Sequence, residues 1–184
     1  MKIINRPSRV DEDFLLDLKR GDDIAWSRLT DELTPRLYSY LRYNLPTEED
    51  VEDVLSETLI ATVRAIQTFD GQVKISTFVY SIANRKVADF WRKRRGSMAE
   101  DSELSEGFPA IDADTPMLVE IREDFETALA RLPEVSRQAL LLRYHMGLGV
   151  DEVAVALGRT YKATESLLSR ARYQLRNALA QDET

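Results

Sequence analysis

Residues 150–179 read VDEVAVALGRTYKATESLLSRARYQLRNAL. Val153, Ala154 and Leu157 recur at helical spacing ahead of Gly158, and a glycine just past the last periodic residue is a common left-handed helix stop. Thr160 then opens a longer apolar series of Leu167, Leu168, Ala171 and Leu175, with its hydroxyl placed to cap the first turn. A short helix over 150–157, a turn beginning at Gly158 and a helix from Tyr161 to about Ala180 form a helix-turn-helix pattern. The outer face of the second helix carries Lys162, Glu165, Ser166, Ser169, Arg170 and Arg172. Such a face fits a DNA major groove, with the N-terminal side chains against base edges and the arginines on phosphates. The spacing also fits a plain three-helix bundle with a solvated basic face.

Upstream, Gly147 and Gly149 punctuate the chain. Thr115-Pro116 and Leu132-Pro133 each look like a helix start with proline at the first position. Between Gly96 and Thr115 the sequence is acidic, holds Ser, Gly and Pro and shows no sustained apolar period, so it reads as a flexible linker. Before it, Thr47-Glu48-Glu49-Asp50 resembles a capping box in which Asp50 reaches back to the cap. Val51, Val54, Leu55, Thr58, Leu59, Val63 and Ile66 then mark an amphipathic helix, interrupted at Phe69-Asp70-Gly71. Ser76 or Thr77 is placed to cap a further helix running to about Arg95. Residues 13–20 and 24–43 carry two more helical patterns, broken around Gly21-Asp22-Asp23. With no strand pattern and no internal repeat, the expectation is an all-α chain. Two small helical domains, 1–96 and 117–184, flank a linker at 97–116, and each is large enough for its own core.

The 184 residues hold 25 Lys and Arg against 32 Asp and Glu, a formal charge of -7. There is no cysteine and one histidine, His145, which excludes disulfides, thiolate zinc sites, cysteine nucleophiles and multi-histidine metal sites. The N-terminal MKIINRPSRVDEDF lacks the apolar core of a signal peptide, and no apolar run is long enough to span a bilayer, so no membrane insertion is expected. Residues 48–73 carry one basic and seven acidic groups, residues 74–95 seven basic and one acidic, and residues 96–126 one basic and ten acidic. Acidic stretches thus alternate with local basic patches, and the net charge does not exclude nucleic acid.

The helix from Ser76 to Arg95 interleaves Arg85, Lys86, Arg92, Lys93, Arg94 and Arg95 with Phe78, Tyr80, Phe90 and Trp91. Basic groups among aromatics suit a single strand with unstacked bases. Phe78 and Phe90 read as core, while Tyr80 and Trp91 stay open. Glu49, Asp53 and Glu57 stand at steps of four on one helix face. They could hold Mg²⁺, as in all-helical nucleotide pyrophosphohydrolases, or form an acidic docking surface for a basic partner. The enzyme needs a second acidic motif, and Asp11, Glu12, Asp13 and Asp17 do not supply one at matching spacing. His145, with no partner in the sequence, reads as a surface or packing residue.

Two long stretches, EEDVEDVLSETLIATVRAIQTFDGQVKISTFVYSIANRKVADFWRKRRG and ALARLPEVSRQALLLRYHMGLGVDEVAVALGRTYKATESLLSRARYQLRNAL, resemble regions 2 and 4 of the extracytoplasmic-function group of bacterial RNA polymerase sigma factors. The resemblance implies a cytoplasmic initiation factor with no active site, cofactor or small-molecule substrate of its own. Its implied partners are the clamp and flap of core RNA polymerase, promoter DNA and an anti-sigma factor. Polymerase docking falls to Asp50, Asp53 and Glu57. Contact with the melted −10 strand falls to Phe69, as a stacking or wedging ring, and to Asp70, Lys74, Thr77, Arg85, Lys86, Arg92 and Lys93. Reading of the −35 duplex falls to Arg159, Lys162, Glu165, Ser166, Ser169 and Arg170.

Two departures from the family pattern bear on base preference. Glu165 and Leu167 stand where many members carry cations, and Arg85 stands where an asparagine is frequent. The sparse basic patches predict weak binding to free DNA and a need for polymerase. The alternatives are a helix-turn-helix regulator that acts without entering polymerase, and the pyrophosphohydrolase.

Overall fold

A computed structural model describes residues 9–97 and 125–182, and every element among them is helical. The helices are α1 (Arg9–Arg20), α2 (Asp23–Arg42), α3 (Glu48–Ala65), a 3-10 turn (Ile66–Thr68) and α4 (Ile75–Ser97). After the linker come α5 (125–130), α6 (Glu134–Leu140), a π-helical turn (Leu141–His145), α7 (Val150–Ala156) and α8 (Tyr161–Asp182). The all-α expectation holds. The linker from residue 98 onward and the Thr115-Pro116 start lie outside the described residues, while Gly96 and Ser97 still belong to α4.

Local chemistry sets the helix ends. Gly21 takes φ +78, a conformation that costs a side-chain-bearing residue energy, and Asp22 caps α2 by accepting from the Ala25 N–H at 2.8 Å. Thr47 accepts from the Asp50 N–H at 3.2 Å. Asp50 does reach back, but to the Thr47 hydroxyl at 2.7 Å and not to its backbone N–H. The expected start of α4 is corrected: Ser76 and Thr77 lie inside its first turn, and the Lys74 carbonyl accepts from the Phe78 N–H at 3.0 Å. Pro133 is the N-cap of α6 and not its first residue. Gly158 closes α7 at φ +62, and Thr160 caps α8 by accepting from the Ala163 N–H at 3.3 Å.

The expectation of a separate core for each domain is also corrected. Leu18, Leu37, Leu41, Leu45, Val51, Val79 and Val87 from the first domain bury themselves in the same apolar cluster as Leu129, Leu142, Met146, Leu148 and Val153 from the second domain. Each such side chain contributes about 1.5–3 kcal/mol on burial, so the shared cluster holds the two domains together. Tyr40 and Tyr80 meet edge to face at 5.8 Å inside it. The Tyr80 hydroxyl donates across the domain boundary to Met146 Sδ at 2.9 Å, and burial pushes its pKa up to about 12. A smaller cluster of Ala139, Leu167 and Leu168 joins α6 to α8.

Candidate nucleic-acid interface

The helix-turn-helix is built as its residues predict. Val153 and Ala154 of α7 are buried, as are Leu167, Leu168 and Ala171 of α8. Arg159, Lys162, Glu165, Ser166, Ser169 and Arg170 are all exposed, on the turn and on one side of α8. Leu167 is only 3% exposed, so it is a core residue between α6 and α8 and not a lost DNA contact. Tyr161, the first residue of α8, is about half exposed and adds an aromatic ring to this face. The sequence offered one signal for it, an apolar ring in the first turn outside the buried period.

On the first domain the acidic and basic helices pair with each other. Lys86 Nζ donates to Glu57 Oε2 at 2.9 Å, and this bond holds the Glu57 carboxyl below the usual carboxylate range. Arg94 lies 3.9 Å from Asp50, and Arg92 binds Asp89 one turn away along α4. Arg85, Lys93 and Asp53 are exposed and appear in no ion pair among the described residues. Two ion pairs therefore cross the α3–α4 seam, while Arg85, Lys93 and Asp53 stay open to solvent beside them. Of the two open aromatics, Tyr80 is core, whereas Trp91 is half-buried and donates its ring N–H to the Asn44 carbonyl at 3.0 Å.

The loop before α4 frames a cavity of about 280 Å³ whose walls include Glu12, Leu16, Lys19, Phe69, Asp70 and Gly71. Phe69 is buried and stacked on Phe78, with ring centres 4.3 Å apart, so its ring forms wall and floor and does not project as a free wedge. Its carbonyl accepts from Lys19 Nζ at 2.7 Å, and Gln67 Nε2 donates to the Lys19 carbonyl at 2.9 Å. These bonds tie α1 to the loop, a contribution of α1 that the sequence reading missed because the partners lie about fifty positions apart. Exposed Asp70 accepts from the Gln72 N–H at 3.1 Å, and Gly71 takes φ +72. Lys74 and buried Thr77 both reach Glu152 of α7, at 3.1 and 3.2 Å.

Among the described residues no three histidine, aspartate or glutamate side chains come together in a way that could hold a metal ion. No described helix is long and apolar enough to cross a membrane. His145 lies at the domain boundary, 2.7 Å from the Ser39 hydroxyl and edge-on to Tyr43.

Comparison with known proteins matches the Sigma-70 region 2 family over residues 29–97 and the Sigma-70, region 4 family over residues 122–175. RNA polymerase sigma factor NccH of Alcaligenes xylosoxydans xylosoxydans is 29% identical over 173 residues, covering 90% of this chain and 92% of NccH. The extracytoplasmic-function sigma factor SigW of Bacillus subtilis is 24% identical over 173 residues, 88% of this chain and 92% of its own. Among solved structures, CnrH in complex with the cytosolic domain of CnrY is similar with a TM-score of 0.71 and 25% identity, over 94% of this chain and 98% of that one. The sigma factor RpoE in complex with the anti-sigma factor NepR from Bartonella quintana shares the fold, with a TM-score of 0.68, 22% identity, and coverage of 83% and 97%. With both sigma regions matched in order on the two helical domains, the chain belongs to the extracytoplasmic-function group of sigma-70-family RNA polymerase sigma factors.

Proposed function

We propose that the chain docks on core RNA polymerase through Asp53 and its α3 neighbours Asp50 and Glu57, captures the melted −10 strand with α4 and the loop before it, and reads the −35 duplex with α8. The supporting observation is the exposed face of α8, where Arg159, Lys162, Glu165, Ser166, Ser169 and Arg170 stand clear of the core on a capped, glycine-closed helix-turn-helix. On the first domain, Arg85, Arg92, Lys93 and Arg95 are exposed on α4, with Arg92 paired to Asp89 and half-buried Lys86 paired to Glu57. The cavity beside Phe69 and Asp70 is the recess for an extruded base, with the stacked Phe69–Phe78 pair as its support.

Melting costs on the order of 1–2 kcal/mol per base-pair step, so captured bases and polymerase contacts together offset several steps. Lys86 and Arg92, each held by a carboxylate, contribute less counterion release than free cations, which supports the expectation that the free chain binds DNA weakly. Glu165 is repelled by phosphate but accepts from a cytosine N4 amine, giving a −35 preference distinct from members with a cation there. The protein works in the cytoplasm with polymerase, catalyses no reaction of its own, and is masked by an anti-sigma factor.

Run-off transcription with core polymerase, followed by sequencing of the start sites, tests this reading. Specific initiation that is lost on combining Asp53→Arg with Glu57→Arg is the expected result. Absence of specific initiation on every genomic fragment removes the reading. Tight duplex binding by the chain alone points instead to a regulator that does not enter polymerase.

A further inference from the structure

Lys74 and Thr77 open α4 on the side expected to face the −10 strand, yet in the free chain both are engaged by the helix-turn-helix domain. One carboxylate oxygen of Glu152, Oε1, accepts from the Thr77 hydroxyl at 3.2 Å and lies 3.1 Å from Lys74 Nζ. The other, Oε2, accepts from the Gly149 N–H at 2.8 Å and caps α7. The Glu152 side chain is only 16% exposed, and its hydrogen bonds from Gly149, Lys74 and Thr77 hold its carboxyl below the usual carboxylate range despite burial. A charge so placed is tolerated because each oxygen has a donor. Thr77 is buried, so no strand reaches its hydroxyl while α7 is seated there.

A carboxylate and a phosphate diester present the same chemistry to this pair: a singly charged oxyanion that accepts from an ammonium and a hydroxyl. We propose that Lys74 and Thr77 form a phosphate site for the −10 strand and that Glu152 occupies it in the free protein. Docking of the helix-turn-helix domain and capture of the −10 strand are then mutually exclusive. This deepens the proposed function and rests on it. The same docked arrangement is held by Tyr80 on Met146, by Ser39 on His145 and by Arg42, 3.8 Å from Glu126. Polymerase that draws the two domains onto separate promoter elements releases Lys74 and Thr77 at the moment they are needed. Apparent strand affinity of the free chain is lowered by the fraction of molecules that are open.

The test uses the full chain, whose lack of cysteine allows paired dyes through Asp31→Cys and Asn177→Cys, one in each domain. Glu152→Gln keeps an acceptor for the Gly149 N–H but removes the charge that Lys74 holds. Lys74→Glu opens the same contact without touching the α7 cap. Both variants are expected to lower energy transfer between the dyes. Glu152→Gln is expected to raise the affinity of the free chain for a labelled single strand bearing the mapped −10 sequence about tenfold, and adding Lys74→Ala to remove that gain. If Glu152→Gln changes neither energy transfer nor strand affinity while Lys74→Ala still weakens the −10 complex of the holoenzyme, the latch is refuted and the functional reading stands. If Lys74→Ala leaves the holoenzyme complex unchanged, Lys74 is not a −10 contact and the latch falls with that assignment.

Discussion

The Ser39 hydroxyl on α2 lies 2.7 Å from Nε2 of His145, at the end of the π-helical turn of the second domain. The imidazole also meets the Tyr43 ring edge-on at 5.6 Å. Burial, with the nearby Arg36 adding to it, holds the His145 pKa below its ordinary 6.5. The docked state therefore favours neutral imidazole. Above pH 6.5 the contact contributes in full, and as pH falls from there toward the depressed value the undocked form gains a proton first and docking weakens. His145 is the single histidine, so one NMR resonance reports it. Its midpoint is expected below 6.5 in the native chain and near 6.5 in urea, and equal midpoints would show that the docked ring is not desolvated. Energy transfer between domain-specific dyes should fall over the same pH window, and His145→Gln should flatten that response.

Lys86 and Glu57 make the tightest link across the α3–α4 seam, at 2.9 Å, but the Glu57 side chain is 52% exposed. An ion pair so open to water is worth under about 1 kcal/mol. A double-mutant cycle of Glu57→Gln and Lys86→Met in thermal melts should give a coupling within that limit, shrinking as salt is added. The depressed Glu57 carboxyl makes this small contribution present at neutral pH and lost as pH drops below the ordinary carboxylate value. Coupling well above that limit would mean the seam is structural and not a reserve of charge for other partners.

Much of this architecture was legible because its signals are local. Gly158 and Thr160 announce the turn within three positions, and the period of Val153, Ala154, Leu167, Leu168 and Ala171 sorts inside from outside. What escaped depends on contacts between distant residues. Thr77 looks like a helix cap, but its hydroxyl is drawn to Glu152, seventy-five positions on. Phe69 looks like a free ring, but Phe78 stacks on it. Tyr80 could have faced a nucleic acid, and only the arrival of Met146 shows why it is buried. Helical period predicts that a side chain has a buried face, not which domain buries it. The shared core was invisible for the same reason.

Thr160 accepts from the Ala163 N–H at 3.3 Å, and its carbonyl accepts from the Thr164 hydroxyl and N–H at 3.0 Å. Replacing it with alanine removes the side-chain cap and should cost about 0.5–2 kcal/mol. The loss falls on the first turn of α8, which presents Tyr161 and Lys162 and leads directly into Glu165 and Ser166. Transcription from promoters that depend on the −35 element should therefore drop more than the melting temperature suggests. Thr160→Ser retains an acceptor and should recover both. A Thr160→Ala chain with normal stability and normal promoter use would show the hydroxyl to be dispensable.

Leu167 separates a DNA-facing position from a core one. Many family members place a cation in this stretch, yet here the side chain is 3% exposed and clusters with Ala139 and Leu168 between α6 and α8. Leu167→Arg would drive a guanidinium into that apolar contact, against which Val135, Val150 and Leu157 also pack. An uncompensated buried charge of this kind costs about 3–5 kcal/mol, a large share of a small domain's stability. Chemical denaturation should show a lower midpoint, and promoter binding at the −35 element should be lost together with the fold. Ser169→Arg is the control: the position is exposed on the same helix, so a cation there should leave stability within about 0.5 kcal/mol of the parent while raising non-specific DNA affinity. If Leu167→Arg instead left the midpoint unchanged and strengthened DNA binding, α8 would have to present position 167 to the groove, and the assignment of its inner and outer faces would be reversed.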